Sequence, residues 1–128
     1  MSDERRVHDR KSIEPLSIQG LISISNLSPI ADNASLVEAS PTGFRLLVHR
    51  NDLANETLKE NLTLDSIEGL EISLFIPAMD LDVTGMIVRT RHKGEGMFEV
   101  GIDYTSDAPQ YWRECLCDLL PIPGELTN

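Results

Sequence analysis

The densest group of side chains with binding chemistry lies at the start of the sequence. Two arginines stand four residues apart in Arg6-Val7-His8-Asp9-Arg10, and Arg5 directly precedes the first of them. A guanidinium group offers a planar fork of donors that matches phosphate oxygens, and its flat face stacks on aromatic rings. In an extended or loop segment these arginines could clamp phosphates and stack on a purine. Taken alone, such a pair is equally typical of a charged surface.

A second group, Glu38-Ala39-Ser40-Pro41-Thr42-Gly43, combines a carboxylate, hydroxyls and a tight bend. Pro and Gly stand in turn-compatible places, so the backbone is expected to reverse there. A carboxylate at such a bend could accept hydrogen bonds from the N1–H and N2–H₂ edge of a guanine. An ordinary turn is the other interpretation of this segment.

Patterns that would indicate catalysis or a metal centre are missing from the sequence. Cys115 and Cys117 are two residues apart, so on a helix they point about 200° apart and cannot chelate one ion. The three histidines lie far apart, and no nucleophile elbow, phosphate loop or dinucleotide fingerprint occurs. We therefore expect no enzyme activity, no metal ion and no cofactor.

The chain is acidic, but its cations are clustered. Its 128 residues carry 11 Lys and Arg against 21 Asp and Glu, for a net charge of −10. This balance argues against DNA or RNA as a partner, because such binding rests on Lys and Arg that neutralise phosphates. Basic residues gather at 5–11, 45–50 and 89–93, whereas 51–82 holds eight acids and one base. A small anion therefore remains a plausible ligand for the basic clusters.

Targeting signals and membrane segments are not visible. No apolar run approaches the ~20 residues of a membrane span, and no apolar stretch follows the charged first six residues. Two cysteines do not make a disulfide framework. We expect a cytoplasmic protein without membrane insertion.

Alternating apolar residues predict a sheet-rich fold. Strict period-two alternation over 70–76 and 98–104 indicates half-buried strands. A β-branched stretch at 83–91 lies between them, with Gly85 as a candidate bulge, and these three predict an antiparallel meander. Shorter strands are expected at 21–24, 34–39 and 44–48, which suggests a small antiparallel barrel of about six strands.

A helix is predicted near 108–120. Trp112, Cys115, Leu116, Leu119 and Leu120 recur at helical spacing, and a proline at 121 blocks continuation. This face is expected to pack on the barrel or on a partner.

The order of these features resembles the PilZ family of cyclic di-GMP receptors. That family shows an Arg-x-x-x-Arg motif near its start, which here falls on Arg6 and Arg10. An Asp/Asn-x-Ser-x-x-Gly motif follows, and here it falls on Glu38, Ser40 and Gly43. The resemblance covers roughly residues 5–120. It implies a mainly β fold, a six-stranded antiparallel PilZ-type split barrel with a C-terminal α-helix.

The resemblance also implies a binding module that relays cyclic di-GMP to an unidentified protein partner. Residues 1–12 would be a flexible arm that carries the arginines, 13–121 the barrel with its helix, and 122–128 a tail. The arginines would hold phosphates and stack on guanine, the second motif would contact a guanine edge, and ordering of the arm would signal to the partner. The ligand-binding set is then Arg5, Arg6, Arg10, Glu38, Ser40, Gly43 and Arg45, with Arg5 and Arg45 as helpers.

One position departs from the family pattern. Glu38 stands where the family has Asp or Asn, which keeps the carboxylate but lengthens its reach by one methylene. A strained charge-assisted hydrogen bond would weaken binding by roughly tenfold to a hundredfold. A PilZ-fold adaptor that does not bind the nucleotide, acting in pilus or motility control, is therefore the alternative prediction.

Overall fold

A computed structural model describes residues 11–61, 63–106 and 108–122. Within these ranges six strands form a closed ring in the order β1-β2-β3-β6-β5-β4, and every neighbouring pair is antiparallel. The predicted mainly β architecture with six antiparallel strands and a C-terminal helix is confirmed. The elements are β1 (Lys11–Ser23), β2 (Pro29–Ala39), β3 (Gly43–His49), α1 (Glu56–Glu60), β4 (Glu71–Ile76), β5 (Leu81–Gly94), β6 (Met97–Asp103) and α2 (Gln110–Leu119).

The ring closes around one apolar core. Along β3 and β4, buried residues alternate with less buried ones, as expected for a sheet with one face on the core. Burial of this face supplies most of the favourable free energy of folding, at about 25 cal/mol for each Å² of apolar surface. Its fully buried side chains include Ile18, Leu36, Leu46, Ile72, Ile87 and Val100.

Strand β1 is much longer than the predicted strand at 21–24, and it begins inside the segment assigned to the arm. Its buried residues stand at 13, 16, 18, 21 and 23, a spacing that departs from period two. The pairing with β2 is irregular between Ser12 and Leu16, and the pairing with β4 is irregular around Gly20, which has a φ of +65°. The first irregularity adds two residues to β1 relative to β2 and the second adds one relative to β4, so the alternation is broken and the sequence signal is lost.

Strand β5 also contains a bulge, but not at Gly85 as predicted. Gly85 pairs in register with Ile72, and a Cβ on it would lie 2.8 Å from the Ile102 Cγ2. Glycine is thus needed there for close packing. The irregularity falls between Ile87 and Arg89 in the pairing with β6, which leaves Val88 as the extra residue.

Helix α2 confirms the predicted C-terminal helix, although it begins two residues later. Its N-cap is Pro109, and Leu116 and Cys117 are buried beneath it. The ammonium group of Lys11 donates to the carbonyl oxygens of Cys117 (2.9 Å) and Leu120 (2.8 Å), and this cation stabilises the helix C-terminus. No helix in the described ranges has the length and apolar character needed to span a membrane.

Candidate functional site

Four neighbouring strands align outward-facing residues into one row. Glu38 on β2 pairs with Arg45 on β3, and Arg45 pairs with Gly101 on β6. Gly101 pairs in turn with Arg89 on β5. A concavity of about 410 Å³ lies over this row, and we call it the outer basin; its lining residues are Glu38, Arg45, Arg89, Arg91, Glu99 and Gly101.

Gly101 forms the floor of the outer basin. It lies between two arginines in adjacent strands, where any larger residue would project outward. A Cβ placed on it would meet its nearest atom, the Arg89 Cβ, at 3.8 Å, which is an ordinary contact. The basin therefore exists because this position lacks a side chain, and the surrounding packing does not require glycine.

Arg45 and Glu99 anchor an ion-pair network beside this floor. Arg45 Nη1 donates to Glu99 Oε2 at 2.7 Å, and Arg45 Nη2 donates to the carboxylate of Glu38. Arg91 Nη2 donates to Glu99 Oε1 at 2.8 Å, and Lys93 Nζ lies 3.8 Å from Glu99 Oε2. These contacts hold Arg45 in one orientation, because both of its terminal nitrogens are engaged.

Glu99 is charged in this setting. Only 10% of its side chain is exposed, and this burial by itself would raise the pKa of the carboxyl group. Arg45, Arg91 and Lys93 outweigh the burial and lower the pKa of Glu99 below its ordinary value of 4.5. The carboxylate thus acts as a fixed anchor that gathers three cations at one place.

The outer basin is positively charged although the whole chain is acidic. Its lining holds three cations (Arg45, Arg89 and Arg91) and two carboxylates (Glu38 and Glu99), a surplus of one positive charge, and Lys93 beside Glu99 raises the local surplus to two. Arg89 is exposed and makes no hydrogen bond or ion pair with the described residues, and 63% of the Arg91 side chain is exposed. Exposed guanidinium groups of this kind have the donor geometry to bind anions such as phosphate.

The bend between β2 and β3 lies at the edge of the basin and uses its own polar groups. The Ser40 hydroxyl accepts from the backbone N–H groups of Thr42 (3.2 Å) and Gly43 (3.3 Å). It also shares a hydrogen bond with the Thr42 hydroxyl at 2.9 Å, and Ser40 is only 3% exposed. In this structure Ser40 therefore shapes the bend rather than presenting a free hydroxyl.

Gly43 is required by close approach of two strands. A Cβ on it would lie 2.1 Å from the carbonyl oxygen of Ile102, which is backbone and cannot turn away. The serine and the glycine of the second motif thus both fix the path of the chain from β2 into β3.

The bend is also tied to helix α2. Arg113 donates from Nη1 to the Pro41 carbonyl oxygen and from Nε to that of Ala108 (3.0 Å). The buried Tyr104 hydroxyl donates to the Ser40 carbonyl oxygen at 3.1 Å, and burial raises the pKa of this phenol. These contacts connect the C-terminal helix to the edge of the outer basin, and sequence reasoning had assigned a role to neither residue.

The first strand enters beside the same bend. Lys11 pairs with Ala39 and Ser12 pairs with Glu38, so the start of β1 is adjacent to the edge of the basin. Arg10 directly precedes Lys11 in the sequence. Arg5, Arg6 and Arg10 themselves lie outside the described residues.

The structure brings together only part of the predicted site. Glu38 and Arg45 line the basin, while Ser40 and Gly43 form the adjoining bend. Sequence reasoning missed Arg89, Arg91, Glu99 and Gly101 as members of this surface. The cluster of cations at 89–93 was the sequence feature that could have indicated this surface. Whether Arg89 points outward, however, depends on the bulge at Val88.

Neither similarity to known proteins nor a group of metal-ligating side chains in the described ranges indicates what this chain binds. No model of a known protein family matches the chain, and no curated protein matches its sequence. Within the described ranges, no group of three or more His, Cys, Asp or Glu side chains is arranged to hold a metal ion.

Proposed function

We propose that this chain is a PilZ-type module that binds cyclic di-GMP at the outer basin and relays the signal to a protein partner. The observation that carries the proposal is the surplus of positive charge in and beside a concavity on an otherwise acidic chain. A second observation supports it, since β1 begins beside Glu38 and follows directly on the Arg6/Arg10 motif.

The basin residues suit the two parts of such a ligand. Arg89 and Arg91 are exposed at one side, where their planar donors could take phosphate oxygens. Gly101 leaves the floor open for a flat base, and the guanidinium groups of the flanking Arg45 and Arg89 could stack on it. By resemblance, Arg6 and Arg10 would add the remaining phosphate and guanine contacts, with Arg5 as a helper.

The relay follows from where the ligand would sit. Lys11 and Ser12 pair with Ala39 and Glu38 at the edge of the basin, so a nucleotide bound there and held by Arg6 and Arg10 would fix the arm over the outer face and change the surface shown to a partner. Control of motility, biofilm formation or virulence is the proposed output.

A PilZ-fold adaptor without nucleotide is the second candidate. The carboxylate of Glu38 is bound by Arg45, so contact with a guanine edge would compete with an existing ion pair. Ser40 likewise has its hydroxyl engaged in the bend. These two observations favour the adaptor, whereas the positive charge of the basin favours the receptor.

Replacement of Arg89 by Ala is expected to weaken cyclic di-GMP binding by about tenfold in a calorimetric titration, because one charge-assisted contact to phosphate is lost. Stability should be unchanged, since Arg89 is exposed and unpaired among the described residues.

The matched control is Lys59→Ala on α1, which removes one positive charge outside the basin. We expect it to change the affinity by less than about twofold, because exposed charges beyond a Debye length of ~8 Å are screened. If Arg89→Ala and Lys59→Ala weaken binding equally, the loss of affinity is due to the overall charge of the protein, and a phosphate contact at Arg89 is contradicted.

A further inference from the structure

Helix α2 does not lie flush on the ring. Between its outer face and the start of β5 runs an apolar depression of about 250 Å³, lined by Met79, Leu81, Trp112, Cys115, Leu116 and Leu119. A second depression of about 260 Å³ continues from it past Pro109 and shares Trp112 as a wall. We call the two together the helix groove.

The apolar surface around the helix groove is unusually exposed. Leu119 is 70% exposed and Tyr111 is 71% exposed, although the helical pattern of the sequence had placed Leu119 on the packing face. Ile122, just beyond the helix, is 52% exposed. Several large apolar side chains exposed together on a small domain are typical of a contact surface.

The charges along the groove have one sign. Asp80 and Asp82 are exposed on the β5 side, and Asp118 is exposed next to Leu119 on the helix. Among the described lining residues there is no Lys or Arg, and the guanidinium of nearby Arg113 is turned inward to the Pro41 and Ala108 carbonyl oxygens. A complementary partner must therefore carry apolar side chains flanked by positive charges.

The spacing along α2 favours a helical partner. Trp112, Cys115 or Leu116, and Leu119 follow one another at three to four residues, which gives a row of projections about one helical turn apart. Side chains of a second helix at the same spacing fit between such projections. Recognition of amphipathic helices in grooves uses this geometry.

We propose that the helix groove binds a basic amphipathic α-helix of a partner protein. Its apolar face packs against Trp112, Leu116 and Leu119, and its Lys or Arg residues lie near Asp80, Asp82 and Asp118. This inference does not depend on cyclic di-GMP binding, since the groove and the outer basin share no lining residue.

The sequence provides an intrinsic fluorescent probe for a test of this proposal. Trp112 is the only tryptophan in the sequence, so the fluorescence of the intact protein reports on the groove. Two designed peptides of about 15 residues, both without Trp, would share leucines at helical spacing and differ only in Lys or Glu on the polar face. We expect the Lys peptide to shift the Trp112 emission saturably, and the Glu peptide to bind at least about tenfold more weakly.

Variants locate the contact. Leu119→Ser should weaken binding of the Lys peptide by about tenfold, because a central apolar contact is lost. The double variant Asp82→Asn, Asp118→Asn should weaken binding by about threefold to tenfold, because two negative charges near the peptide lysines are lost. Matched controls are Leu27→Ser at the 73%-exposed Leu27 and Glu60→Gln on α1, both expected to leave the affinity unchanged. These four variants change only exposed residues, so circular dichroism should show folded protein in each case.

Several outcomes overturn the proposal. One is an absence of any emission change with the Lys peptide, and another is equal binding of both peptides. Unchanged affinity in Leu119→Ser, or the same loss in Leu27→Ser, would place the contact elsewhere. Sedimentation that shows self-association of the protein, abolished by Leu119→Ser, would make a second copy of the chain the occupant.

Discussion

Replacement of Arg45 by Met is expected to lower the free energy of unfolding by about 3 kcal/mol at pH 7, measured by urea denaturation. The guanidinium is the shared partner of Glu38 and Glu99, and Glu99 has only 10% of its side chain exposed. Without Arg45, the largely buried carboxylate of Glu99 loses its 2.7 Å hydrogen bond from Arg45 Nη1 and is left with the more exposed Arg91 and Lys93. Removal of the cation that two carboxylates share is among the few single changes that cost this much.

The pH dependence of this loss has a defined sign. In the unsubstituted protein the pKa of Glu99 lies below its ordinary value of 4.5 despite burial, owing to Arg45, Arg91 and Lys93. The network therefore contributes stability above pH 4.5, and the contribution is lost as the pH falls through the lowered pKa. We expect the stability difference between wild type and Arg45→Met to shrink as the pH is lowered from 7 towards 4, because a protonated Glu99 needs no cation.

Two further variants isolate the cause. Adding Glu99→Gln to Arg45→Met should recover at least half of the lost stability, since the carboxylate that has lost Arg45 is then neutral. Arg89→Met, two strands away on β5, should change stability by less than about 0.5 kcal/mol because Arg89 is exposed. A loss for Arg45→Met that is independent of pH, with no recovery in the double variant, would contradict the ion-pair account.

Gly101→Leu is expected to abolish cyclic di-GMP binding, with at least about a hundredfold loss of affinity. The new side chain would occupy the floor of the outer basin between Arg45 and Arg89, where a flat base is proposed to lie. The fold should persist, because a Cβ at this position meets no atom closer than 3.8 Å. Calorimetry gives the affinity, and thermal unfolding confirms that the variant is folded.

The control for added bulk is Ser17→Leu. Ser17 is exposed on β1 and lies outside the basin lining. It should leave binding unchanged. If folded Gly101→Leu binds as tightly as wild type, the nucleotide does not use the floor of the basin.

Regular strands were predictable from the sequence, and irregular ones were not. The prediction of β4 and β6 follows from alternation over 70–76 and 98–104, where the alternating residues Ile72, Leu74 and Ile76, and Phe98, Val100, Ile102 and Tyr104, are buried. In β1 the alternation is interrupted by two irregularities in pairing, so only its last few residues gave a strand signal. The exposure of Leu119 could not be predicted from the sequence either, because helical spacing does not show which residues of the apolar face contact the sheet.

The same contrast between predictable and unpredictable features applies to the candidate site. The motif order pointed to Glu38 and Arg45 as neighbours of the bend, and both line the outer basin. Arg89 and Gly101 could not be placed there, because their alignment depends on the register of four strands and on one extra residue, Val88. A regular strand would turn Arg89 inward after the inward-facing Ile87, whereas the bulge turns it outward.

A calorimetric titration of cyclic di-GMP into the intact chain tests the central claim most directly. We predict saturable binding at micromolar or lower concentration that disappears in Arg6→Ala and in Arg10→Ala, with GMP as a weak competitor. Absence of binding heat from folded wild-type protein, or unchanged binding in both arginine variants, would contradict the claim and leave the adaptor as the remaining candidate.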